Sequence, residues 1–93
     1  MSQTANTEAY ERLLSALTTF EKRNLEISSY LLDSVQFAKT ALNNDNTCQT
    51  LEKKIRSITI KMLDISEKTE LLKKSMQETL DAMYKLERED QEE

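Results

Sequence analysis

The chain has 93 residues, with no Gly, Pro, His or Trp and a single Cys, and its 13 basic and 17 acidic side chains give a net charge of −4. Turns usually draw on Gly or Pro, so their absence predicts few turns and long elements. Lacking His and a second Cys, the sequence offers no zinc-type ligand cluster and no imidazole for proton transfer. Without Gly it has no phosphate-cradling or dinucleotide-binding loop. No catalytic residue, metal, cofactor or small-molecule substrate is therefore expected.

The acidic balance argues against direct nucleic-acid binding, which needs a basic surface. No apolar run exceeds three residues, as in Tyr30-Leu31-Leu32, so membrane insertion is not expected. The first ten residues have neither a basic segment nor an apolar one and do not read as a signal peptide. Cys48 has no partner for an internal disulfide, and no Asn-x-Ser/Thr sequon occurs. These features favour an intracellular location, with the cytoplasm ahead of the nucleus.

Taken in chain order, residues 1–7 read as a flexible tail and residues 8–42 as the first helix, capped by Asn6 or Thr7. Tyr10, Leu17, Asn24, Leu31 and Ala38 fall at one core position of a heptad. Leu13, Phe20, Ile27, Ser34 and Ala41 fall at the other, with Leu14, Val35 and Leu42 widening the stripe. Asn24 sits at a core position. There it either fixes register through a buried hydrogen bond or marks a splayed, solvated segment.

Residues 43–47, Asn-Asn-Asp-Asn-Thr, form the one clear break. Asn and Asp tolerate the left-handed conformation that ends helices, and Asn46 or Thr47 is a candidate cap for the next helix. A loop this short joins antiparallel neighbours.

The second helix is expected over residues 48–88. Steps of three and four connect Cys48, Leu51, Ile55, Ile58, Met62, Ile65, Thr69, Leu72, Met76, Thr79, Met83 and Leu86, a coiled-coil or bundle pattern. Residues 89–93 read as an acidic, frayed tail, because negative charge opposes the dipole at a helix C-terminus. Residues 50–74 lean the other way. Lys53, Lys54, Arg56, Lys61, Lys68, Lys73 and Lys74 outnumber Glu52, Asp64, Glu67 and Glu70 there, which suits either a solvated face or an acidic partner helix.

The fold expected is all-α: two long antiparallel helices in a coiled-coil hairpin, completed into a multi-helix bundle by self-association or by partner subunits. Its packing interface is read as Leu13, Leu17, Phe20, Asn24, Ile27 and Leu31 with Leu51, Ile55, Ile58, Met62, Ile65, Leu72, Met76, Met83 and Leu86. Leu25, Leu32, Phe37, Ile60, Leu63 and Leu71 lie off that seam and form a candidate partner surface. The function expected is that of a non-enzymatic structural or adaptor subunit of an intracellular complex, with other helical proteins or itself as partners. A small helical export chaperone or regulator binding one partner protein is the alternative.

Overall fold

The computed structural model describes the backbone of residues 2–92 and the side chains of residues 5–89. Among the described residues there are two helices and no strand: α1, Ser2–Ala41, and α2, Asn46–Glu92. The fold class is an all-α helical hairpin. Both helices reach beyond their expected bounds, α1 starting at Ser2 and α2 ending at Glu92. No Gly or Pro interrupts these ends, and Gln3 and Ala5 at the start and Glu89, Gln91 and Glu92 at the finish are good helix formers. Asn6 and Thr7 consequently lie inside α1 instead of capping it. The outermost residues of the two expected tails, Met1 and Glu93, lie outside the described residues.

The connection between the helices is built without glycine. Asn43 and Asn44 take positive φ of 56° and 52°. The Asn44 N–H donates to the Lys39 carbonyl at 3.0 Å, the six-to-one bond that closes a helix C-terminus once the chain turns left-handed. Asparagine bears this conformation at lower cost than most non-glycine residues. Lys39, in the last turn of α1, also opposes the negative end of the helix dipole.

The cap of α2 is Asp45, one residue before the expected Asn46 and two before Thr47. Its Oδ1 accepts the Cys48 N–H at 2.8 Å, and its carbonyl accepts the Gln49 N–H at 2.9 Å. A carboxylate satisfies an orphan donor and meets the positive end of the helix at once, which explains its choice over the neighbouring amide. Gln49 Nε2 reaches back to the Asn44 carbonyl at 3.2 Å and ties the turn to the first turn of α2.

The chain divides into two compact units, residues 1–20 with 68–93 and residues 21–67. In the second of these, Asn24 meets Met62 and Ser66, and Lys39 meets Glu52, so the helices run antiparallel. Its buried residues are Asn24, Ser28, Val35, Cys48 and Thr59. Leu31, Ala38, Glu52, Ile55, Met62 and Ser66 are half-buried. In the other unit Thr7 meets Glu87 and Glu11 meets Tyr84, again antiparallel. Thr7, Thr69 and Leu80 are buried there, with Tyr10, Leu14, Leu17, Met76, Met83 and Glu87 half-buried.

These residues recur at alternating steps of three and four on each helix, which defines the seam. Letters a and d denote its two positions. On α1, a is Thr7, Leu14, Glu21, Ser28 and Val35, and d is Tyr10, Leu17, Asn24, Leu31 and Ala38. On α2, a is Glu52, Thr59, Ser66, Lys73, Leu80 and Glu87, and d is Cys48, Ile55, Met62, Thr69, Met76 and Met83.

The d positions coincide with one half of the expected frame, while the other half lies one residue away on both helices. Leu13, Phe20 and Ile27 on α1, and Leu51, Ile58, Ile65, Leu72 and Leu86 on α2, are exposed and occupy the g position beside the seam. Each helix is thus turned by about 50°, half of the ~100° between successive residues, relative to the expected seam. The cause is polar. Hydrogen bonds between the helices start from Thr7, Asn24 and Lys39, and these bonds dictate which edge of each helix faces inward.

Replacing Asp45 by Ala is expected to lower stability by about 1 kcal/mol. Urea unfolding followed by circular dichroism measures it, and Asp45→Asn should recover most of the loss.

Candidate helix-docking surface

Asn24 sets the local geometry of the 21–67 unit. Its Nδ2 donates to the Met62 carbonyl at 2.8 Å and to Ser66 Oγ at 2.7 Å. Ser28 Oγ donates to the Asn24 carbonyl at 2.9 Å and lies 3.5 Å from the Met62 sulfur. Of the two readings of a core asparagine, the buried hydrogen bond is the one found. Among the described residues no buried side-chain nitrogen or oxygen lacks a partner, so the polar seam is satisfied.

Nearer the turn, Glu52 is the hub of a charged cluster. Lys39 Nζ stands 3.2 Å from Glu52 Oε2, and Arg56 Nη2 stands 3.0 Å from the same oxygen. The Arg56 hydrogen bond first, and then that of Lys39, hold the Glu52 carboxyl below its ordinary value of 4.5. In the other unit the Tyr84 hydroxyl donates to Glu11 Oε1 at 2.6 Å. That carboxylate, together with partial burial, pushes the Tyr84 hydroxyl above its usual range. Thr7 Oγ1 donates to Glu87 Oε1 at 2.7 Å on the same pair of helix segments. These contacts orient helices. Among the described residues no group of three or more His, Cys, Asp or Glu could hold a metal ion, and Cys48 is a buried free thiol.

The two flanks of an antiparallel pair are chemically distinct, because like positions face each other across it: e opposite e, and g opposite g. Glu11 and Tyr84, both at e, mark one flank of the 1–20/68–93 unit. That flank carries a groove of mixed character, in which Glu11, Ser15, Thr18 and Gln77 line it together with Leu14, Leu80 and Tyr84. On the opposite, g flank stand Leu13, Phe20, Leu72 and Leu86, all exposed.

In the 21–67 unit the g flank carries Ile27, Leu51, Ile58 and Ile65. Ser34 and Leu51, at g on the two helices, border a cleft of about 120 Å³ floored by Leu31, Val35, Ala38, Cys48 and Ile55. Farther round the same side lie Tyr30 and Phe37, the latter 77% exposed. Large apolar side chains left in water over such a stretch are the usual mark of a surface that another protein covers.

The residues expected as the packing interface therefore separate into two sets. Leu17, Asn24, Leu31, Ile55, Met62, Met76 and Met83 lie at seam positions. Leu13, Phe20, Ile27, Leu51, Ile58, Ile65, Leu72 and Leu86 lie outside the intramolecular seam, exposed at g. The candidate partner surface is dispersed. Leu25, Leu32 and Leu63 share the e flank of the 21–67 unit, whereas Phe37, Ile60 and Leu71 occupy other positions, all exposed. The seam residues missing from the sequence reading are Thr7, Glu21, Ser28, Glu52, Thr59, Ser66, Lys73, Leu80 and Glu87. Apart from Leu80 they are polar, and a hydrophobic periodicity passes over them.

Among the described residues no helix is long and apolar enough to cross a membrane. Comparison with protein-family models, with curated proteins and with solved structures found no match to this chain.

Two outcomes test this geometry. Asn24→Ala should destabilise the hairpin by about 1–2 kcal/mol in thermal or urea melts, while Ser29→Ala, at an exposed site on the same helix, should leave it unchanged. Because the Glu52 carboxyl is depressed in the fold, its contribution exists above its unfolded pKa and disappears as pH falls through the folded one. Stability profiles of the native chain and Glu52→Gln should therefore differ at neutral pH and converge in acid.

Proposed function

We propose that the chain is a non-enzymatic structural or adaptor subunit of an intracellular multi-protein complex, working by helix packing. The observation that carries this reading is the exposed g flank in each unit, apolar on both helices, beside a seam that mixes apolar side chains with polar contacts. A hairpin of this kind gains most from a further helix or pair of helices laid along that flank, giving a three- or four-helix bundle. The apolar g residues supply the association energy. Within the chain, the polar seam supplies orientation.

The chemistry of the surface suits this role. Its apolar side chains sit on regular helices, so they are presented as a stripe without loops to order on binding. The buried thiol of Cys48, the lack of a sequon and the lack of turn glycines fit a chain that works by packing inside the cell.

Ile58→Asp and Val35→Asp separate association from folding. Ile58 is 49% exposed and Val35 only 5%. Ile58→Asp should keep its helical circular dichroism yet lose the partners that copurify with the native chain. Val35→Asp should lose the helical signal itself. If Ile58→Asp retained the full set of copurifying chains, the proposal would fail.

A further inference from the structure

We propose that the g flank of the 21–67 unit receives an acidic amphipathic helix of a partner protein. This rests on the subunit reading above and specifies the chemistry of the occupant. The position next outward from g, c, holds Arg23, Tyr30 and Phe37 on α1 and Lys54 and Lys61 on α2. Every charge at c or g in this unit is thus positive. Its acids lie elsewhere: Glu21 and Glu52 at a, Glu26, Asp33 and Asp64 at f, Glu67 at b, and Asp45 in the turn.

Glu52 lines the cleft, but its carboxylate is engaged by Lys39 and Arg56 on the other flank. Among the described residues, Arg23, Lys54 and Lys61 make no ion pair within the chain. The flank is therefore an apolar strip with a cationic rim. Its complement is a helix whose apolar stripe is bordered by Asp or Glu, with one aliphatic or aromatic side chain entering the cleft of about 120 Å³. A second copy docking through the same flank would set Arg23, Lys54 and Lys61 against their own equivalents. Like charges brought together in this way oppose association, which favours a different chain as occupant.

The test uses the full chain and two designed peptides of about three heptads, identical in a Leu stripe. Glu flanks the stripe in one and Lys in the other, and binding is read by fluorescence anisotropy. The Glu-flanked peptide should bind at least about tenfold more tightly, and the preference should shrink as salt rises. The triple variant Arg23→Glu, Lys54→Glu, Lys61→Glu should reverse the preference. Its fold should persist because the three sites are exposed and Glu is as good a helix former as Lys or Arg. Equal binding of both peptides, or binding of neither, overturns the proposal. So does a stable homodimer in sedimentation that the Ile58→Asp variant dissolves. A native chain that still copurifies with partners through Ile58, and whose triple variant does so equally well, keeps the subunit role and discards the acidic helix.

Discussion

The arrangement of the 21–67 unit turns on the pair of hydrogen bonds from Asn24 to the Met62 carbonyl and Ser66. A primary amide at the centre of a helix–helix contact has a strong preference about what it faces, because its desolvation must be repaid by well-placed acceptors. Leucine would accept many rotations about the helix axis. Asparagine accepts few. Asn24 stands at d, which the expected and observed frames share; its bond to Ser66, at a on α2, favours the observed side, where Ser28 and Val35 enter the seam on α1. On α2, Thr59 and Ser66 are drawn in beside Ile55 and Met62. Leu51, Ile58 and Ile65 are left on the flank.

Much of the fold was legible in the residues. The missing Gly and Pro, the two periodic segments and the polar run at 43–47 led directly to two helices and one turn. One of the two positions in the frame that spacing gives coincides with the seam on each helix. The other does not, and the reason is physical. Periodicity finds the most apolar stripe on a helix, and a hairpin with more than one apolar stripe need not close on the richest. The signal that could have located the seam is an alignment of polar residues across the hairpin: Asn24 opposite Ser66, Lys39 opposite Glu52, Thr7 opposite Glu87. Such pairs carry no hydrophobic period, so they emerge only when the two helices are considered together.

The turn shows the same logic on a smaller scale. Sequence reading placed the break correctly and placed the cap one or two residues late, at Asn46 or Thr47. Two consecutive left-handed asparagines consume Asn43 and Asn44 and bring Asp45 to the position where its carboxylate meets the first free amides of α2. The cap is thus fixed by how the preceding helix ends, a coupling that residue propensities taken singly do not contain.

The polarity of the seam also has a calorimetric consequence. Heat-capacity change on unfolding follows the apolar area newly exposed, with polar exposure acting in the opposite sense. Among the described residues the buried apolar side chains are only Val35, Cys48 and Leu80, while Thr7, Asn24, Ser28, Thr59 and Thr69 are buried beside them. On this basis the solitary hairpin is expected to have a shallow stability curve and a broad melt for its length. Covering the Leu and Ile residues of the flank would add the heat-capacity signature of an ordinary core, and sharp, cooperative melting would then belong to the covered form alone.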